Sequence, residues 1–281
     1  MSCEKRFDGK TVVITGAGGI LCSMFAKVLA KNGAKVALLD INYSAVKKVE
    51  DEIIQSNNIA KAYEVNVLDK QNLSEAYSRI KEDFGDCDIL INGAGGNNSR
   101  STTTKEKYYK GDLDAKDIMT FFDLDSDSIS FLFNLNFLGT LLPTQVFTKD
   151  MVETGKGSVI NISSMNAFSP LTKIPAYSAA KAAVSNFTEW LAVHFSETGV
   201  RCNALAPGFF VTNQNKNLLF DENGKPTART EKILKGTPMN RFGEPEELVG
   251  PLLFLLDDSS SSFINGVVLP VDGGFNAYSG V

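Results

Sequence analysis

A tyrosine and a lysine stand four residues apart in the stretch AYSAAKAA (176–183), as Tyr177 and Lys181. On a helix such positions lie one above the other on a single face. The pair therefore reads either as a weak surface contact or as a general acid beside an ammonium. A free phenol titrates near pH ~10, and an ammonium about 5 Å away at an effective dielectric of roughly 20 is worth about 3 kcal/mol, or around two pKa units. Such a shift would bring the phenol toward the working pH, where acid–base catalysis is efficient. Ser164 precedes Tyr177 by 13 residues, at the expected end of a strand. Its hydroxyl can hold a carbonyl oxygen beside the phenol, while the adjacent Ser163 is free to cap the strand. Asn136 sits in FNLNFLG, inside an apolar segment where a mid-helix asparagine is disfavoured by propensity.

These residues need a frame, and the chain spells one. Short apolar runs occur at 11–15, 35–40, 62–67, 88–92, 157–164, 200–207 and 266–273. They carry little polar alternation, as in strands covered on both faces. Helix-like segments lie near 20–32, 44–55, 70–84, 128–152, 176–197 and 245–257. This alternation predicts a single-domain α/β chain of the Rossmann type over residues 1–281: a doubly wound sheet of about seven parallel strands with helices on both faces. Two polar excursions, 93–117 and 208–236, break the rhythm after the fourth and sixth strands. Open α/β sheets bind ligands at these carboxyl ends, and long loops in a compact domain often form binding loops.

The first strand runs into TGAGG (15–19) and then a helix. Gly16, Gly18 and Gly19 would let backbone approach a pyrophosphate at a helix N-terminus. Asp40 ends the second strand, where a carboxylate can accept from an adenosine ribose and would repel a 2′-phosphate; this favours NAD over NADP. INGAGG (91–96) is a second glycine-rich turn, equally readable as a cofactor wall or as a tight turn before a loop.

Composition narrows the classes. The chain has 281 residues, 43% hydrophobic and 22% charged, with a net charge of −5. These values suit a globular domain with a sizeable core and give no basic footprint for nucleic acid. No apolar leader or membrane-length run is present, so a cytoplasmic setting is expected. Four cysteines (Cys3, Cys22, Cys87, Cys202) without metal or disulfide spacing and a single histidine, His194, leave no material for a His-based metal site or a Ser-His-Asp triad.

TGAGG, NGAG (92–95), NFLG (136–139), NISS (161–164), YSAAK (177–181), PG (207–208) and VDGG (271–274) follow one another in an order and spacing that resemble the short-chain dehydrogenase/reductase family. The resemblance implies a catalytic tetrad of Asn136, Ser164, Tyr177 and Lys181, with Asn136 holding a water for proton relay and Lys181 gripping the nicotinamide ribose. It implies cofactor positions at Gly16, Gly18, Gly19, Ile20, Asp40, Asn66, Val67, Asn92, Gly93, Ala94, Gly95, Pro207 and Gly208, besides Tyr177 and Lys181, and a homotetramer. The family's glycine turn usually reads TGxxxGxG, whereas Ile20 and Cys22 fill the last two glycine positions here. The turn is expected to survive on the remaining glycines with a shifted backbone.

Within the family, AGGNN with TTT (94–104), PGFFVTNQNKNLL (207–219) and TPMNRFGEPEEL (237–248) resemble the branch that interconverts D-fructuronate and D-mannonate. That implies a small sugar-acid substrate. Its carboxylate and hydroxyls would be met by Asn97, Arg100, Lys105 or Lys107 from the first excursion and by Asn213, Gln214, Asn215 or Lys216 from the second. Asn166, placed two residues after Ser164, is a further substrate candidate beside Ser164 and Tyr177. Another ketoreductase, such as a gluconate 5-dehydrogenase or a 3-oxoacyl-thioester reductase, and a catalytically silent nucleotide sensor are the alternatives.

Overall fold

Seven strands lie side by side, all parallel, in the order β3-β2-β1-β4-β5-β6-β7. They are β1 Thr11–Thr15, β2 Lys35–Asp40, β3 Ile59–Glu64, β4 Ile89–Asn92, β5 Gly157–Ile162, β6 Val200–Pro207 and β7 Val268–Val271. The structure is a computed structural model that describes residues 6–211, 219, 221–222 and 224–280. Strands β1, β4 and β6 are buried at every residue, which explains their unbroken Val/Ile/Leu runs. The edge strand β3 alternates buried and less buried residues instead.

Alternate side chains feed two cores. Val12 and Ile14 join Phe25, Leu29, Val36, Leu38 and Leu252 on one face. That side is covered by α1 (Ile20–Lys31), α2 (Tyr43–Gln55) and α9 (Val249–Leu256). Val13 and Leu39 join Leu73, Ile80, Phe147 and Leu191 on the other face. There the cover comes from α3 (Lys70–Phe84), α5 (Gly139–Phe147) and α7 (Pro175–His194). The chain order reverses between β1 and β4, so the ligand-binding crevice of this topology opens at their carboxyl ends.

Three differences from the sequence reading bear on the site. The third strand ends at Glu64 rather than running to residue 67, because its partner β2 ends at Asp40, paired with Glu64. Asn66 then turns the chain by accepting from the Leu68 amide at 3.0 Å. The segment 128–152 is not one helix. It comprises α4 (Ser126–Phe133), a π turn over Asn134–Leu138, α5 and α6 (Lys149–Thr154). The extra residue of the π turn lets Asn136 reach sideways, and the interior Pro143 lacks an amide to donate. Within the excursion 208–236, Ala228–Gly236 forms a helix, α8, whose N-cap Thr227 accepts from Thr230. Its mostly polar sequence hid a buried face that includes Thr230 and Ile233.

Cys22 occupies the helix–strand contact beside the second glycine turn, where a Cβ on Gly93 would strike its Sγ and lie 3.0 Å from the Thr15 carbonyl. Burial pushes the thiol up to about 12, so Cys22 is a neutral packing group. Gly93→Ala is expected to destabilise the protein by about 1–3 kcal/mol through overpacking. Thermal denaturation of Gly93→Ala/Cys22→Ala should recover at least half of that loss. No recovery would place the clash on the Thr15 carbonyl instead.

Candidate active site

The first glycine turn is built for close approach. Gly16 has φ +66°, and a Cβ there would lie 2.9 Å from Ala94 Cα. The two glycine turns thus pack backbone to backbone, and the Thr15 hydroxyl latches them by accepting from the amides of Gly93 (3.1 Å) and Ala94 (3.3 Å). The sequence reading placed Thr15 only within the 15–19 cofactor loop and did not anticipate this latch. Helix α1 opens at Ile20 behind Gly19, with no side-chain cap and no acid in its first turn. By contrast Asn42, Asp69 and Asp125 cap α2, α3 and α4. The leading amides of α1 are therefore open to an outside anion. Asp40 is fixed beside them: one carboxylate oxygen accepts from the Gly18 amide and the other from the Asn42 amide, each at 2.9 Å.

The remaining cofactor positions divide. Gly93, Ala94 and Gly95 form the wall of the crevice, and Pro207 and Gly208 leave β6 at the same edge of the sheet. Val67 is buried against Gly139, while Asn66 is exposed at its turn. The Asn92 side chain, 1% exposed, faces the interior and donates to Thr144 Oγ1 and Asn161 Oδ1, each at 2.9 Å. Only its backbone belongs to the turn.

Asn136, Lys181 and the second glycine turn meet at one point. The Asn136 amide donates to the Gly96 carbonyl at 2.8 Å and to the Leu132 carbonyl at 2.9 Å, and its oxygen accepts from the Gly96 amide at 3.2 Å. A Cβ on Gly95 would fall 2.6 Å from Asn136 Oδ1 and 3.3 Å from Lys181 Nζ. Glycine is required there because these two side chains already fill the space.

Lys181 is 4% exposed and donates to the Ile162 carbonyl at 2.8 Å. Burial lowers its pKa to about 8. An ammonium carries three donors, so a site that desolvates it this far needs further acceptors, and ribose hydroxyls supply that chemistry. Together with the uncapped α1 and the poised Asp40, this donor set fits a pyridine dinucleotide. When bound, such a cofactor supplies or accepts the hydride.

Lys181 Nζ lies 5.7 Å from the centre of the Tyr177 ring. The expected lowering of the phenol is not what the protein alone produces. Burial pushes the Tyr177 pKa up, and the Ser164 hydroxyl, hydrogen-bonded to it, draws it only part of the way back. The ammonium is itself desolvated and aimed at the Ile162 carbonyl, which is why it leaves the phenol proton in place. Ser164 accepts from the Asn166 amide at 3.2 Å, leaving its own hydrogen to donate. Ser163 fixes the helix instead, donating to the Lys181 carbonyl at 3.1 Å and sharing a 2.7 Å hydrogen bond with Ser185. The site can thus hold a carbonyl oxygen between a donating serine and a protonated tyrosine.

The two excursions touch each other, Lys232 Nζ of α8 lying 2.9 Å from both carboxylate oxygens of Glu106. Asn97 donates to Thr102 at 3.2 Å. Arg100 is largely exposed and 3.9 Å from Asp125. Lys105 is committed to Asp112 at 2.6 Å and so is not an uncommitted cation. Lys107 is exposed. Asn213, Gln214, Asn215 and Lys216 lie outside the described residues. His194 stacks on Trp190 at 4.7 Å on an exposed stretch of α7, far along the helix from Tyr177. Among the described residues no group of three or more metal-ligating side chains gathers, and no helix is long and apolar enough to cross a membrane.

Residues 10–223 match the family model for short chain dehydrogenases. The chain belongs to the short-chain dehydrogenase family. It is an oxidoreductase of alcohol and ketone groups, and its relatives share nearly its whole length. An uncharacterized oxidoreductase of Haemophilus influenzae is 61% identical over 281 residues, 100% of this chain and 98% of that protein. A Haemophilus influenzae protein provisionally named D-mannonate oxidoreductase, crystallised with bound NAD, superposes with a TM-score of 0.94 at 62% identity, over 98% of this chain and 97% of that one. The 5-keto-D-gluconate 5-reductase of Escherichia coli K12 is 32% identical over 266 residues, 95% of each protein.

Proposed function

We propose that this dehydrogenase uses NAD(H) to interconvert a keto sugar acid and its alcohol, D-fructuronate and D-mannonate. The observation that carries the reading is the convergence of Asn136, Ser164, Tyr177 and Lys181 beside the Gly93–Gly96 turn, at the end of the sheet where Asp40 waits. In the reduction direction Ser164 donates to the substrate carbonyl oxygen and orients it. Tyr177 gives that oxygen its proton. Lys181 holds the cofactor ribose, and Asn136 keeps the Gly95–Gly96 wall and Lys181 in fixed relation. Arg100, largely exposed and held only by a 3.9 Å ion pair to Asp125, meets the substrate carboxylate, with Asn97 and Asn213–Asn215 receiving hydroxyls.

The mannonate assignment is supported by the likeness to the NAD-bound Haemophilus influenzae protein. A 5-keto-D-gluconate reductase is the second reading, favoured by the 32% identical Escherichia coli enzyme. Cofactor oxidation with D-fructuronate, 5-keto-D-gluconate and a 3-oxoacyl thioester separates them. D-fructuronate is expected to give the highest kcat/KM, and a tenfold advantage for either competitor would replace the assignment.

Asp40 sets the choice of cofactor. A carboxylate already bonded to two amides has no reason to move away from a 2′-phosphate, and like charges about 4 Å apart at an effective dielectric of roughly 20 repel by about 4 kcal/mol. The enzyme is expected to prefer NADH over NADPH by about 10²-fold or more, and Asp40→Ser should erase most of that ratio, at least about tenfold. An unchanged ratio would remove Asp40 from this role.

A homotetramer is the assembly we propose. Phe131, Trp190 and Val193 on α4 and α7 are 54%, 55% and 75% exposed, more apolar surface than a lone subunit needs to show. Sedimentation at micromolar protein should report four copies, and a monomer would reject this. A reducing cytoplasm suits the buried, unpaired thiols of Cys22, Cys87 and Cys202.

A further inference from the structure

Asn166, two residues after Ser164, carries an acceptor that the described residues leave unused. The residue is 4% exposed, and its side-chain oxygen is buried without a hydrogen-bond partner among the described residues. Buried amide oxygens are rarely left so, because water is lost and nothing replaces it. The position is not incidental. Asn166 lies in the single turn Met165–Ala167 that starts at Ser164, and its backbone amide is the group held by the Ser164 hydroxyl at 3.2 Å. Met165, beside it, is 2% exposed, so the turn is anchored rather than adrift. Asn166 stands two residues beyond the hydroxyl that orients the carbonyl, in the turn that hydroxyl opens, which makes its side-chain amide the candidate partner for a group on the carbons flanking that carbonyl. A hydroxyl on such a carbon is both donor and acceptor and satisfies the amide in either orientation.

We propose that Asn166 is a specificity-determining residue: its side-chain amide pairs with a hydroxyl on the carbon adjacent to the reacting carbonyl, so that the site selects α-hydroxy ketones over plain ketones. This rests on the ketone-reduction reading given above and not on which sugar acid is the substrate. A ketose-type carbonyl, flanked by hydroxyl-bearing carbons on both sides, meets the requirement. A plain ketone leaves the amide buried and unpaired in the transition state.

The test compares kcat/KM with NADH for two matched sets: 5-keto-D-gluconate against its 4-deoxy and 6-deoxy forms, and hydroxyacetone against acetone. The wild-type enzyme is expected to favour the hydroxylated member by about 10–100-fold, and the deoxy form that loses this advantage marks which flanking hydroxyl is read. Asn166→Leu, similar in volume but without an acceptor, should lower kcat/KM for the hydroxylated ketone by that factor and for its deoxy partner by less than about threefold. Asn166→Ser should restore part of the ratio, with melting temperatures confirming that both variants fold. Equal losses on both members would make the residue structural and overturn the proposal, as would a ratio that does not move. If keto sugar acids are not turned over but hydroxyacetone is preferred to acetone only while Asn166 is present, the sugar-acid reading falls and this inference stands. Turnover of no α-hydroxy ketone by the wild-type enzyme overturns it.

Discussion

Replacing Tyr177 by phenylalanine is expected to lower kcat for ketone reduction by about 10²–10⁴-fold, the range for removing a positioned general acid, while NADH still binds. The ring would stay where it is, because it packs with Ile129, Phe133, Ala176 and Ala180 against Leu132. Only the hydroxyl would go, and with it the proton for the carbonyl oxygen. Ser164 cannot replace it, since a serine hydroxyl donates a hydrogen bond but does not give up its proton near neutral pH. The direction of the Tyr177 shift adds a second expectation. Burial raises the phenol above its ordinary value and Ser164 only partly opposes this, so the acid form prevails at neutral pH and reduction needs no prior proton uptake. Alcohol oxidation needs the phenolate and should therefore speed up as pH rises. Fluorescence titration of NADH with stopped-flow reduction would check both parts. Unchanged turnover in Tyr177→Phe would remove the phenol from the chemistry and revive a nucleotide-sensing role.

The sheet was legible because its signal is local and strong. Val12–Ile14, Leu38–Leu39 and Leu90–Ile91 are continuous apolar runs, and each is buried on both faces. The placement of Tyr177, Lys181 and Ser164 was legible because the first two share one uninterrupted helix and Ser164 follows one strand by two residues. What stayed hidden depends on residues far apart in sequence. The π turn at Asn134–Leu138 exists because Asn136 bonds to Gly96, 40 positions away, and no helical period announces it. Helix α8 reads as loop because its cover comes from residues such as Leu219, whose carbonyl accepts from Thr230. The electrostatics of Lys181 depend on its depth of burial, which residue spacing does not encode. For the same reason Cys22 reads as a departure from a glycine pattern, whereas in the fold it packs against Gly93 and fills the space a side chain there would need.

That burial also predicts a conflict between stability and function at Lys181. In the unfolded chain a lysine titrates near ~10.4; in the folded protein burial brings Lys181 to about 8. Between these values the unfolded state binds more protons, so the stability due to this group rises with pH across roughly 8 to 10.4 and is lowest below about 8. At pH 7 the buried ammonium opposes folding by about 3 kcal/mol, one pKa unit being worth about 1.4 kcal/mol. Lys181→Met keeps a long unbranched stem and removes the charge, giving up only the hydrogen bond to the Ile162 carbonyl. The variant should therefore be more stable than the parent at pH 7 by about 1–3 kcal/mol, with the difference shrinking as pH is raised toward 10. The same change should cut kcat/KM by at least about 10²-fold, since a fixed charge beside the reacting groups is lost. Chemical denaturation at pH 7 and pH 10, set beside initial rates, reads both effects. A variant less stable than the parent at pH 7 would mean that the ammonium is compensated by partners other than Ile162. A stabilised but inactive variant would mean that the fold tolerates a charge it would be better without because the reaction requires it.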